Sequence, residues 1–265
     1  MTASPEVSTA IHGILDDWRS RHQHWSLMEV FLPSTQRHQS PALFSWYEAI
    51  ESATFEIRDD AVAVAKLRWW RDELALAVEG RARHPLIQAW SVGIASSVES
   101  WRSVVDAALH LRVTAPRPAN VSESWEAIAP IAEAQARLEH QLWGGTVNGT
   151  WRRVDLLLSR LRRHACSHAE RSLLPLDLCA RYALSVESVE PGSSEPSQLS
   201  WQLDWVSSMR TLMPVADSQR AKASALWSVA TQLHLRALAS PQQRQDIPLT
   251  RWVWHAWRAA RCAAR

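Results

Sequence analysis

The sequence predicts an all-α protein, and three observations lead to that prediction. Apolar residues recur at intervals of three and four along almost the whole chain, which is the spacing of one helix face. No segment alternates with period two for long enough to predict a sheet. Only 7 of the 265 residues are glycine, so the tight turns of a many-stranded sandwich or barrel are scarce. We therefore expect one helical bundle domain over residues 1–265.

The first helix with clear end signals covers Ala61–Val78. Asp59 precedes this helix at the position of an N-cap, and Gly80 follows it where a C-cap glycine is expected. The next helix opens at His84 and Pro85, because proline is favoured in the first turn of a helix. These signals fix two successive helices in the first third of the chain.

The rest of the chain is predicted to form further helices, separated by a connection and a loop. Residues 112–121 hold two prolines and form the connection. Residues 188–198 are rich in Ser, Glu and Pro and form a flexible, solvated loop within the same domain. The remaining helices are expected over Ser122–Leu142, Trp151–Ala169, Pro175–Val186, Leu199–Leu212, Asp217–Leu238 and from Leu249 to near the end.

Composition excludes several classes of protein. No G-x-G-x-x-G or G-x-x-x-x-G-K-[ST] segment is present, which argues against a nucleotide-binding loop. The net charge of +2 argues against nucleic acid as a partner. Three cysteines and a start without a basic or apolar leader indicate a reduced, cytoplasmic protein. Contact with a membrane surface stays open.

A tryptophan-rich helix carries a family resemblance. Residues 58–74 read RDDAVAVAKLRWWRDEL, and the chain resembles the squalene/phytoene synthase family, whose members carry a helix close to K/R-L-x-W-W-R-x-E-L. Weaker matches follow at His84-Pro85, at 161–163, at 174–178 and at 254–261. The resemblance covers about Leu43 to Arg261 and implies a terpenoid-synthase bundle acting on isoprenoids.

The resemblance also implies a chemistry. Active members join two prenyl diphosphates head to head, with Mg²⁺ held by two aspartate-rich D-x-x-x-D turns that face each other across a central cavity. In this sequence Glu48 and Glu51 stand near the first turn, and Arg163 stands about where an aspartate of the second would be. Both aspartate-rich turns are therefore expected to be degraded, and Glu48 and Glu51 remain the candidates for catalysis. Mg²⁺ is expected only in an active prenyl transferase, and no other cofactor or metal is expected.

Candidate binding residues come from the same resemblance. They are Arg68, Trp69, Trp70, Arg71, Arg160 and Arg163. Adjacent tryptophans cannot share one helix face, so we favour packing over ligand stacking for Trp69 and Trp70. His164 and His168 have helical metal-ligand spacing, but Cys166 between them points away from their face and no fourth ligand is evident, so a polar stripe is favoured.

The C-terminal segment alternates tryptophan with arginine. Trp252, Trp254 and Trp257 lie among Arg251, Arg258 and Arg261, a mixture that suits a lipid headgroup region. A helix docked on the bundle fits the same pattern, and both interpretations stay open.

Three functions are therefore compared. The leading hypothesis is a non-catalytic relative of the family that binds an isoprenoid, a lipid or a protein partner; the degraded seats make it resemble the mitochondrial complex I assembly factors and their bacterial relatives. The second is an active head-to-head prenyl transferase that uses atypical acids such as Glu48 and Glu51. The third is a helical scaffold at a membrane complex, with an unknown protein partner.

Overall fold

The computed structural model of the protein describes residues 5–162, 173–184, 196–213, 219–238 and 247–263. Within these ranges the regular elements are helices, apart from a single bridge between Gly145 and Arg220. The helices are α1 (Pro5–Arg21), α2 (Gln23–Met28), α3 (Ser34–Phe55), α4 (Asp60–Val78), α5 (Pro85–Thr114), α6 (Val121–Ala127), α7 (Ala129–Trp143), α8 (Gly149–Arg162), α9 (Leu176–Arg181), α10 (Pro196–Thr211), α11 (Lys222–Leu238) and α12 (Leu249–Cys262), with a short 3₁₀ helix at Glu29–Phe31. The all-α prediction is confirmed.

Helix α3 forms the centre of the bundle, because it is buried along most of its length from Ser40 to Phe55. Helix α4 packs on α5, α5 on α7, α7 on α8, and α11 on α12. The tryptophans account for much of the core: Trp18, Trp25, Trp46, Trp101 and Trp201 are almost completely inaccessible to solvent. The excess of tryptophan therefore serves packing at many positions.

The start of α4 follows the predicted signals. Asp59 is the N-cap, and its carboxylate accepts hydrogen bonds from the backbone N–H groups of Ala61 and Val62. Gly80 follows the helix with φ of +70°, a conformation that suits glycine after a C-terminus.

The predicted helix at Ser122–Leu142 is two helices. Helix α6 ends at Ala127 and α7 begins at Ala129. Pro130 lies in the first turn of α7 and has no N–H to continue the ladder of α6, so the chain restarts there. Other bounds also differ: α5 runs to Thr114, α9 ends at Arg181, and α10 begins at Pro196, inside the predicted loop.

The remainder of that loop, residues 188–195, lies outside the described residues, as do Asp217, Arg163 and both histidines of the 164–168 segment. In the described part of the chain, no helix combines the length and the apolar character that a bilayer crossing requires.

Helix α5 begins with a histidine cap. The Nδ1 atom of His84 accepts a hydrogen bond from the backbone N–H of Leu86 at 3.2 Å, and Pro85 occupies the first turn. Burial lowers the pKa of His84, although the nearby Glu73 carboxylate acts in the opposite direction. A neutral imidazole is the form that can accept this bond.

Acidification is expected to weaken this cap. Because the folded-state pKa of His84 is lowered, the unfolded chain binds the proton more readily, so stability falls as the pH drops through about 6.5. We expect the cap to account for about 1 kcal/mol of the lost free energy of unfolding. The variant His84→Asn should not show this contribution, because asparagine caps a helix without titrating. Urea unfolding across this pH range measures both proteins. If the free energies of unfolding of the two proteins fall in parallel as the pH drops, the prediction is wrong.

Candidate functional site

A cavity of about 450 Å³ lies between α3 and α8, beside the junction of α1 and α2. Helix α3 presents Phe44, Tyr47, Glu48 and Glu51 to it, because residues at i, i+3, i+4 and i+7 share one helix face. Helix α8 presents Arg152, Asp155, Leu158 and Ser159 from the opposite side, and Arg21, His22, Glu56 and Trp227 complete the lining. The cavity therefore combines an aromatic wall with carboxylates and arginines.

The carboxylate of Glu48 is held by the α1–α2 junction. Its Oε2 accepts a hydrogen bond from Nη1 of Arg21 at 2.7 Å, and its Oε1 lies 2.5 Å from Nε2 of His22. The Glu48 side chain is only 11% exposed, so these contacts compensate a largely desolvated charge.

The other acids at the cavity also have partners. Asp155 accepts hydrogen bonds from the Trp227 indole at 2.6 Å and from the Thr231 hydroxyl at 3.0 Å. Glu56 pairs with Arg160 at 3.3 Å. The hydroxyl of Ser159 donates to Glu51 at 3.4 Å. Each of the four cavity carboxylates is thus bound by a side chain of the protein itself.

Arg152 connects the cavity with a buried ionic network. Its Nε donates to Glu139 at 2.6 Å, and Glu139 also accepts from the hydroxyl of Ser224. Both members of the ion pair are about 5% exposed or less. Burial acts to lower the pKa of Arg152, but Glu139 and Asp155 outweigh it and raise that pKa above its usual value, so the guanidinium stays charged.

The aromatic wall surrounds that guanidinium. The Arg152 Cζ atom lies 5.0 Å from the ring centre of Phe44, 5.3 Å from that of Tyr47 and 5.7 Å from that of Trp227. Burial, and then the charge of Glu139, raise the pKa of Tyr47 well above its ordinary value. The phenol is therefore neutral and donates to the carbonyl of Gln135 at 3.2 Å.

The described residues at the cavity do not form the Mg²⁺ sites that the family resemblance implies. Mg²⁺ requires several oxygen ligands in near-octahedral geometry. In the described ranges, no three or more His, Cys, Asp or Glu side chains are grouped so that they could hold a metal ion. The cavity acids are instead bound by arginine, indole and hydroxyl groups.

The acids of α3 that the sequence singled out do lie at this cavity. Glu48 and Glu51 line it from α3, and Arg160 reaches its edge through Glu56. The resemblance placed the second seat beyond Leu161, at Arg163, which lies outside the described residues. The α8 side chains that line the cavity lie earlier in the helix, and Asp155 is their single acid.

The tryptophan-rich helix lies elsewhere. None of Arg68, Trp69, Trp70 and Arg71 lines the cavity. Trp70 is buried against Trp46 and His84, whereas Trp69 is 37% exposed. Arg68 is exposed, and Arg71 pairs with Asp106 at 3.3 Å. The favoured packing role fits Trp70.

Glu73, the acid of the same motif, holds the chain between α4 and α5. It is inaccessible to solvent, and its Oε1 accepts hydrogen bonds from the backbone N–H groups of Arg83 and His84, the second at 2.6 Å. The motif that carries the family resemblance therefore stabilises the α4–α5 corner in this structure.

The C-terminal tryptophans separate into two groups. Trp252 is 5% exposed and stacks on His24 at 4.5 Å, so it belongs to the interior. Because Trp252 lies on the buried side of α12, it cannot contribute to a membrane-facing surface, contrary to the expectation that grouped it with Trp254 and Trp257. Trp254 and Trp257 are 57% and 37% exposed, with ring centres 5.2 Å apart.

Several cavity residues were missed from the sequence. Arg21 and His22 precede the region of resemblance, and Trp227 gives no motif. A signal did exist on α8, where Arg152, Asp155 and Ser159 repeat at i, i+3 and i+7 in a leucine-rich helix. A polar stripe on such a helix indicates a face directed at a polar cavity.

Comparison with solved structures identifies the type of fold. The chain has a terpenoid-synthase-like fold, since among solved structures it is similar to a dehydrosqualene synthase determined in complex with ligand, with a TM-score of 0.64 and 11% sequence identity over 96% of each chain. No protein-family model matches the sequence, and no curated protein matches it. At this identity the likeness establishes the fold alone.

Proposed function

We propose that this protein binds an isoprenoid or similar lipid in the α3–α8 cavity without catalysing head-to-head prenyl transfer. The observation that carries the proposal is that the cavity acids already have partners: Glu48 pairs with Arg21, Glu56 pairs with Arg160, and Asp155 accepts a hydrogen bond from the Trp227 indole. Metal-assisted ionisation of a diphosphate needs free carboxylates for Mg²⁺, and these are engaged.

The capacity to bind a ligand rests on the other properties of the cavity. Its volume of about 450 Å³ falls within the range typical of small-molecule sites. Phe44, Leu158 and Trp227 supply an apolar wall, and the paired carboxylates and arginines supply hydrogen-bonding groups at its edge and base. An amphipathic ligand with an apolar chain and a polar end suits this combination.

Turnover and binding test the proposal separately. Purified protein with farnesyl or geranylgeranyl diphosphate and Mg²⁺ should give no longer-chain product, while a dehydrosqualene synthase assayed in parallel gives one. Calorimetry with farnesol and farnesyl diphosphate should detect binding, and Trp227→Ala should weaken it about tenfold. Trp254→Ala, an exposed tryptophan on α12, is the matched control and should leave binding unchanged.

The turnover and binding assays together distinguish the three functions compared above. Longer-chain product would establish the active prenyl transferase and overturn the non-catalytic proposal. Absence of both product and binding would leave the helical scaffold, whose partner would then be sought among membrane complexes.

A second candidate function is contact of α12 with a membrane surface. Its outer face carries Trp254 and Trp257 with Arg261, whose guanidinium lies 4.9 Å from the Trp257 ring centre. Val253 and Leu249 are exposed near them. Exposed indoles flanked by arginines suit the headgroup region of a bilayer, so we propose a peripheral association through this face.

A further inference from the structure

A second cavity, of about 440 Å³, lies between α11 and α12 and is separate from the α3–α8 cavity. We call it the cationic groove and define it by Arg236 of α11 and by His255 and Arg258 of α12. Val229 and Ala259 give it an apolar floor, and Arg220 lies at one end. No carboxylate occurs among its lining residues in the described part of the chain.

The positive groups of the groove lie close to one another. Burial lowers the pKa of His255, and the charges of Arg236, Arg251 and Arg258 lower it further. Within the described ranges, neither Arg236 nor Arg258 forms a salt bridge. Like charges gathered around an apolar floor repel one another, and an anion between them would relieve that repulsion.

Arg220 differs from these two arginines. It is 6% exposed, donates to the carbonyl of Ser224 at 3.1 Å, and lies 5.5 Å from the ring centre of Trp151. Its guanidinium is therefore held inside the protein, while Arg236 and Arg258 are exposed at the mouth of the groove.

The direction of α12 connects the groove with the outer tryptophans. Trp252 and Ala256 face the core, and His255 and Arg258 border the groove on one flank. Trp254 and Arg258 are four residues apart and so lie on neighbouring turns of the exposed side. The groove thus opens beside the surface that carries Trp254 and Trp257.

We propose that the cationic groove binds the phosphate headgroup of an anionic phospholipid while Trp254 and Trp257 enter the bilayer interface. This inference rests on the membrane contact proposed above for α12, and it adds selectivity for negatively charged lipid. The planar guanidinium groups of Arg236 and Arg258 can each offer paired N–H donors to phosphate oxygens. The apolar floor would lie against the start of the acyl chains.

Vesicle flotation of the full chain tests the inference. One set of vesicles is phosphatidylcholine, and the other is phosphatidylcholine mixed with phosphatidylglycerol. The groove variant Arg236→Gln/Arg258→Gln is compared with Arg137→Gln/Arg210→Gln, which removes the same charge from exposed positions on α7 and α10, outside both the groove and the outer face of α12. We expect the groove variant to lose about tenfold more affinity for the anionic vesicles than this control. Equal losses would show general surface attraction and overturn the inference.

Variants of Trp254 and Trp257, together with the wild-type result, distinguish a failure of the groove inference from a failure of the membrane contact on which it rests. Trp254→Ser/Trp257→Ser should lower binding to both kinds of vesicle by about a hundredfold. If wild-type protein binds neither kind, the membrane contact and the groove inference both fail. If it binds both kinds equally well, the contact stands and the groove inference fails.

The imidazole of His255 gives a second measurement that does not depend on flotation. Dihexanoylphosphatidylglycerol bound in the groove should raise the pKa of His255, followed by NMR, because a phosphate anion offsets the neighbouring arginines. Inorganic phosphate at equal concentration should have a smaller effect. An equal effect of the two would indicate a site for free phosphate and overturn the assignment to lipid.

Discussion

Replacement of Arg152 by methionine is expected to lower the free energy of unfolding by about 3–5 kcal/mol. Methionine preserves much of the packing against Phe44 and Trp227 but leaves the Glu139 carboxylate buried without its cation. Because the Glu139 side chain is only 5% exposed, water cannot replace the guanidinium. Urea unfolding monitored by circular dichroism measures the loss.

The neighbouring arginine provides a matched control. Arg153 pairs with Glu126 and Glu133, whose side chains are 68% and 44% exposed, so Arg153→Met should cost about 1 kcal/mol or less. The double variant Glu139→Gln/Arg152→Met should recover about half of the single loss, because the buried Glu139 charge is removed together with its partner, while Asp155 keeps its hydrogen bonds from Trp227 and Thr231. Similar losses of unfolding free energy for Arg152→Met and Arg153→Met would contradict the prediction that the buried pair of Arg152 and Glu139 stabilises the fold.

The same arginine links stability to the proposed ligand site. Arg152 lies at the base of the cavity, where it contacts Asp155 as well as the aromatic wall. The carboxylates of such a cavity already have partners within the protein before a ligand arrives. The cavity therefore favours ligands that keep these pairs intact over a metal–diphosphate complex that must displace Arg21 or Trp227 from the acids.

The sequence predicted the fold well where local signals dominate. The cap at Asp59, the glycine after α4 and the start of α5 at Pro85 all depend on residues within one turn of the helix end. The break between α6 and α7 was missed because the apolar spacing continues across Ile128, and the break depends on the missing N–H of Pro130.

The candidate site was predictable only in part, because it is made by contacts between distant segments. Glu48 and Glu51 could be found from their spacing on α3. The partners of Glu48 lie 26 and 27 residues earlier, and Asp155 meets Trp227 across 72 residues, so spacing could not reveal them. Arg68 and Arg71 resemble a binding motif, yet their helix packs at the α4–α5 corner, where Glu73 is the buried polar group.

The variant Glu73→Ala is expected to lower the free energy of unfolding by about 3 kcal/mol. Removing the carboxylate leaves the backbone N–H groups of Arg83 and His84 without their acceptor at a partly buried corner. It also disturbs the histidine cap of α5, because His84 supplies that cap. Glu73→Gln should lose less, since an amide oxygen can still accept both hydrogen bonds.

The control for Glu73 lies six residues further along, just beyond the end of α4. Glu79 is 56% exposed and pairs with Arg81 at 3.0 Å, so Glu79→Ala should change stability by about 0.5 kcal/mol or less. Hydrogen exchange adds a local measurement, because Glu73→Ala should release the amides of Arg83 and His84 before the bundle unfolds. If Glu73→Ala matches Glu79→Ala in stability and these amides stay protected, the tryptophan-rich motif does not hold this corner, and its arginines would again become candidates for ligand binding.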